Sequence, residues 1–254
     1  MLAAAKRAGP RRDPDAQLPR AVRGLRGEQA DRGELLLIDI RIFYKKRGRI
    51  KYISHLDMNR LMQRALKRSG LPVWYTQGFN PHMYLTFALP LSLGFESDYE
   101  IMDIRLTEEL PMEEVVARLD AQMPPGLTVF KAAPPEMDVK EITDCIYEIT
   151  AEVPGGAKKA KEQLEALMAE PTLMVEKKTK RGVATVDLRP NVELLRCAPQ
   201  GEDILALRLR CTSGSTLNIN PTLPINLFCA RYGYEPEGVS YLRVQVLAGG
   251  REFC

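Results

Sequence analysis

From residue 35 to residue 44 apolar and polar side chains alternate, so that Leu36, Ile38, Ile40 and Ile42 share one side. That period of two predicts a half-buried strand. Lys45, Lys46, Arg47, Gly48 and Arg49 follow as a basic turn, and residues 50–53 read as renewed extended chain. The period then lengthens. Met58, Leu61, Met62, Ala65 and Leu66 fall on one helical stripe, with Arg60, Arg64, Lys67 and Arg68 on the opposite one. Ser54 is a fitting N-cap and Gly70 a fitting stop, which predicts a helix over residues 55–69. A strand over 72–76 comes next, then a loop of Gln77, Gly78, Phe79, Asn80, Pro81 and His82. An apolar segment (83–90), an alternating one (99–106), a helix opened by Pro111 (112–122) and a short strand (126–131) complete this half.

The second half reads as a strand (144–153), a helix (157–169) and a hairpin of 172–178 with 183–188 around Arg181-Gly182. Strands over 203–211 and 216–219, a helix over 223–232 and a last strand over 239–247 follow. The order strand, helix, strand, strand, helix, strand thus occurs twice, which predicts an α+β fold of two tandem ferredoxin-like (βαββαβ) units. The expected boundaries are a disordered basic tail over 1–33, one unit over 34–134 and a second over 135–254. The join falls near Ala132-Ala133-Pro134-Pro135.

Charge sharpens this picture. The net charge is only +3, yet residues 1–33 hold eight Lys and Arg against four Asp and Glu. Residues 39–68 carry ten basic side chains against Asp39 and Asp57. A near-neutral chain that concentrates its cations in one segment builds a local patch for an anionic partner. No apolar run approaches the roughly 20 residues of a membrane span, and none near the start matches a signal peptide, so the expected compartment is the cytoplasm. The five cysteines are irregularly spaced with no CxxC pair, so neither a zinc ribbon nor a redox dithiol is expected, and no metal site is assigned.

Both histidines, His55 and His82, lie in the stretch 48–97. It packs Gly-Arg, then Ser54-His55-Leu56-Asp57, the basic helix, and Gly78-Phe79-Asn80-Pro81-His82 into fifty residues. This stretch closely resembles the bacterial radical-SAM-associated domain of unknown function, which occurs as a small separate protein or behind a radical SAM enzyme. The resemblance spans roughly residues 36–245. It implies a radical SAM enzyme as partner. The chain itself has no CxxxCxxC triplet, so the iron–sulfur cluster and S-adenosylmethionine are expected only in that partner, with no cofactor here. The tandem order is also similar to that of guide-RNA-processing proteins of CRISPR systems, a likeness of fold that does not fix function.

The residues themselves point to RNA. Lys45, Lys46, Arg47, Arg49, Lys51, Arg60, Arg64, Lys67 and Arg68 would form a phosphate-binding surface, with Tyr75, Phe79 and Tyr84 nearby to stack on bases. Ser54, His55, Asp57 and the residues Gly78, Phe79, Asn80, Pro81 and His82 form a candidate ligand loop. Asn80 before Pro81 and the permissive Gly78 also explain that loop as a turn alone. A neutral His55 at a helix start could act as acid or base, which gives a second reading, a metal-independent RNA-processing enzyme. A third is a purely protein-binding scaffold. Arg189-Pro190-Asn191 and Asn220-Pro221 read as turns. The oligomeric state is not legible.

Overall fold

The computed structural model describes residues 37–179, 182–214, 217–235 and 238–254. The expected tail over 1–33 lies outside them. The first strand, β1 (Ile38–Lys46), buries Ile40, Ile42 and Tyr44 beneath the basic-faced helix α1 (His55–Ser69). Between them residues 50–53 are not extended. Gly48 takes a left-handed φ of 69°, and the chain coils into a 3₁₀ turn over Gly48–Tyr52, which Ile53 closes with a bond to the Ile50 carbonyl. Ser54 caps α1 by accepting from the Asp57 N–H, and Gly70 ends it at φ 65°.

The remaining elements are β2 (Leu85–Phe87), β3 (Glu96–Leu106), α2 (Met112–Asp120), β4 (Leu127–Ala133), β5 (Asp144–Glu152), α3 (Ala157–Met168), β6 (Met174–Thr179), β7 (Gly182–Asp187), β8 (Val192–Gln200), β9 (Ile204–Thr212), α4 (Thr222–Tyr232), β10 (Val239–Ala248) and β11 (Arg251–Glu252). The expected strand over 72–76 is reduced to single bridges, Val73 to Leu106 and Tyr75 to Met83. Of the expected strand over 216–219, residue 216 lies outside the described residues, and Asn218 makes one bridge to Ser213. In its place stands β8, an edge strand that polar positions and Pro199 had hidden.

One mostly antiparallel sheet runs through the chain in the order β4-β1-β3-β10-β5-β9-β8, with β2 also on β3 and β11 on β10; β6 and β7 form a separate hairpin. The first half therefore pairs as β4-β1-β3-β2 and the second as β10-β5-β9-β8. Because β2 is only three residues long, it covers β3 only at 102–104. The start of β3 is left for β10, which joins it in parallel at Glu96–Leu242 and Ser97–Arg243. Helices α1 and α2 cover one core over β1, β3 and β4, while α3 and α4 cover another over β5, β9 and β10 that extends to Phe43 on β1 and to Tyr99 and Ile101 on β3. Among the described residues no helix is long and apolar enough to cross a membrane.

Candidate functional site

The cationic stripe of α1 survives folding as a surface. Arg60, Arg64, Lys67 and Arg68 are all exposed. Arg60, Arg64 and Arg68 line a groove of about 580 Å³ together with Asp57, Leu61 and residues 121–124 that follow α2. Arg68 donates to the Gln122 carbonyl at 3.1 Å, which ties the far wall to the helix. Arg60 pairs with Asp57 one turn back, an exposed pair of little energetic weight. The Asp57 carboxyl is held below its ordinary range by the Ser54 hydroxyl and then by Arg60. Ser54 thus both caps the helix and orients the acid at the groove's mouth.

The basic turn meets a different fate. Arg47 forks onto Asp98 and also reaches Glu96, and these partners, Asp98 first, raise its pKa. Lys45 lies 3.9 Å from Asp98. Lys51 sets its ammonium over the Tyr52 ring. Arg49 is exposed. Lys46 points inward and is only 4% exposed. Within the positive run Lys45 and Arg47 are thus answered by acids of β3, which a count of local charge leaves out.

The Asn-Pro-His loop crowns a small hairpin that leaves the far end of β3. Trp74 donates to the Arg105 carbonyl, Tyr84 to the Trp74 carbonyl and Thr76 to the His82 carbonyl. Arg105, paired with Asp39, lies over both the Trp74 and Tyr84 rings and anchors the hairpin's base. At the tip His82 bonds within the loop, its Nδ1 lying 2.9 Å from Thr76 Oγ1 and 3.2 Å from the Asn80 carbonyl. Gly78 needs its φ of 132° for this turn. Phe79 is fully exposed and Tyr75 is nearly half exposed. Tyr84, by contrast, is engaged in the base of the hairpin.

His55 faces neither the groove nor the hairpin tip. Its ring packs edge-on against Phe87, with centroids 5.2 Å apart, at a crevice shared with Tyr44, Lys46 and Glu100. Behind that crevice lies a group of buried charges not anticipated from the sequence. Arg243 on β10 is 2% exposed and Glu100 on β3 is 4% exposed. Arg243 Nη2 donates to a Glu100 carboxylate oxygen and, at 2.8 Å, to the Leu89 carbonyl. Burial opposes the charge on Arg243, but Glu100 holds its pKa above the ordinary arginine value. Burial lowers the pKa of Lys46 and raises that of Tyr44 well above the phenolic norm. The one sequence signal for this group was Arg243, the single charge in the otherwise uncharged strand β10; Glu100 is one of five charged residues in β3 and does not stand out. Among the described residues no three His, Cys, Asp or Glu side chains gather as a metal site.

Residues 39–221 match the family described as an uncharacterized protein conserved in bacteria, DUF2344. No curated protein matches the chain.

Proposed function

The chain belongs to this conserved bacterial family, and we propose that it is an accessory binding module that holds an RNA-like polyanion along the α1 groove. One observation carries the reading: Arg60, Arg64 and Arg68 recur every fourth residue on the exposed flank of a single rigid helix and line one groove. Residues so spaced stand roughly 5–6 Å apart, a ladder of cations suited to successive backbone phosphates. The exposed rings of Phe79 and Tyr75 offer stacking surfaces for unpaired bases. A radical SAM enzyme as the partner is supported by the resemblance of Ser54-His55-Leu56-Asp57 and Gly78-Phe79-Asn80-Pro81-His82 to the domain that accompanies such enzymes. In this reading the iron–sulfur cluster and S-adenosylmethionine belong to that partner. The repeated strand order of the two halves supports reading them as two ferredoxin-like units sharing one sheet.

The test is fluorescence anisotropy with a labelled oligouridine across a salt series. The wild type binds at low salt, and replacing Arg60, Arg64 and Arg68 together by Gln reduces the slope of log affinity against log salt by about 2, from roughly 0.7 per lost phosphate contact on a single strand. Equal affinity and slope in the triple variant overturn the groove. No binding by the wild type at low salt overturns the polyanion reading in favour of a protein-binding scaffold. Shortening of the RNA by the wild type but not by His55→Ala replaces the binder with an RNA-processing enzyme.

A further inference from the structure

The ion pair of Arg243 and Glu100 occupies the seam where β10 meets β3, and the strands pair there over only two residues of each. Residues 88–94 cross above it. Backbone bonds fix its ends, Ala88 to the Ile101 carbonyl and Gly94 to the Lys51 carbonyl, and two side chains hold its middle: Arg243 donates to the Leu89 carbonyl, and the Asn220 amide to the Ser92 hydroxyl at 3.0 Å. Beneath and beside it lies a cavity of about 250 Å³ whose lining includes Leu89, Leu91, Tyr147, Asn218, Asn220 and Arg243. Arg243 Nε is buried without a hydrogen-bond partner among the described residues. A buried guanidinium nitrogen left without an acceptor is costly, so folded proteins rarely leave one without a reason.

We propose that this cavity is a binding site for a small organic acid, its single carboxylate accepting from Arg243 and its apolar body lying against Leu89 and Leu91. The local charge selects that class. Two buried cations, Arg243 and Lys46, face one buried carboxylate, Glu100, which leaves one positive charge over. Tyr44, Tyr147 and Cys145 do not offset it, because burial raises the pKa of each and keeps it neutral. A phosphate ester carries roughly 1.5 to 2 negative charges at neutral pH and would over-compensate. The volume equals about eight waters at roughly 30 Å³ each, ample for a benzoate-sized molecule. Besides Arg243, the polar residues Ser92, Tyr147, Asn218 and Asn220 share the lining with leucine and proline. This site is separate from the α1 groove, and it stands or falls without regard to RNA.

The probe is benzoate, titrated into the full chain and followed by the ¹H–¹⁵N signals of arginine Nε–H groups, with inorganic phosphate as the comparison. One arginine signal, lost in Arg243→Lys, shifts saturably with a dissociation constant at or below about 1 mM. Phosphate leaves that signal unmoved. Because Arg243→Lys can disturb folding by weakening the hold on Glu100, Leu91→Trp serves as the second variant. It fills the cavity from the strap, leaves the ion pair in place, and weakens benzoate at least tenfold while the amide spectrum stays folded. Absence of a saturable shift, binding of phosphate in preference to benzoate, or unchanged binding in Leu91→Trp each overturns the proposal. RNA binding in the anisotropy assay stays at the wild-type level in Leu91→Trp, so failure here is distinct from failure of the groove.

Discussion

Lys45 and Lys46 are adjacent and chemically identical, yet β1 turns one outward and the other into the molecule. Lys45 finds Asp98 at the surface; Lys46 finds the Lys51 carbonyl at a long 3.5 Å and the field of the Arg243–Glu100 pair. Its pKa is lowered, chiefly by burial, so the folded chain binds this proton more weakly than the unfolded one. The cost to stability is full below the folded pKa and vanishes above the unfolded value of 10.5. Stability from this group therefore rises with pH. In urea denaturation Lys46→Met is expected to exceed the wild type by about 1 kcal/mol near neutral pH, as when a poorly paired buried charge gives way to an isosteric hydrophobe. The gap closes as pH approaches 10.5. A less stable variant at neutral pH would mean that attraction to Glu100 outweighs the loss of hydration.

At the scale of elements, α1 carries both candidate chemistries on different flanks. Its cationic flank lines the groove and its first residue, His55, meets Phe87. What orients both is the start of the helix, where Ser54 accepts from the Asp57 N–H at 3.1 Å and donates to the Asp57 carboxylate at 2.8 Å. Ser54→Ala is expected to cost about 1 kcal/mol of stability, the usual value of an N-cap, read from the urea midpoint. Anisotropy should show a modest loss of oligouridine affinity, since Arg60 keeps only part of its anchoring. The far end is built to match. Arg118 on α2 donates to the Ser69 and Gly70 carbonyls, closing the helix C-terminus with a cation.

At the scale of the molecule, the second core reaches across the β3–β10 seam to Phe43, Tyr99 and Ile101, and the Arg243–Glu100 pair is a buried fastening there beside the bonds of Arg41 and Tyr99 to the Cys254 and Phe253 carbonyls. The shared sheet leads us to expect one unfolding transition, with equal calorimetric and van't Hoff enthalpies. Glu100→Ala leaves a buried guanidinium without its counterion, a loss of roughly 3–5 kcal/mol. Because this loss falls on the seam, scanning calorimetry of that variant is expected to resolve two transitions. Two transitions already in the wild type would show that the halves unfold separately and that the seam adds no coupling.

Much of this architecture follows from local pattern. The amphipathic period and caps of α1 lie within seventeen consecutive residues, and the alternation over residues 35–44 and 99–106 is as local. Those elements were legible because one buried face imposes a period on its own segment. Strand β8 was not, since an edge strand buries little and tolerates Pro199 and exposed polar residues. The basic turn was legible as charge but not as an ion-paired turn, because Glu96 and Asp98 lie some fifty residues away in the chain and become neighbours only through strand pairing. The seam is the extreme case. Glu100 and Arg243 are 143 residues apart, and nothing in either segment states that β3 and β10 are adjacent. Sequence alone determined which side chains are cationic and which segments are regular. Tertiary structure decided which charges remain exposed to a ligand, since that depends on which strands share an edge and how much water is left between them.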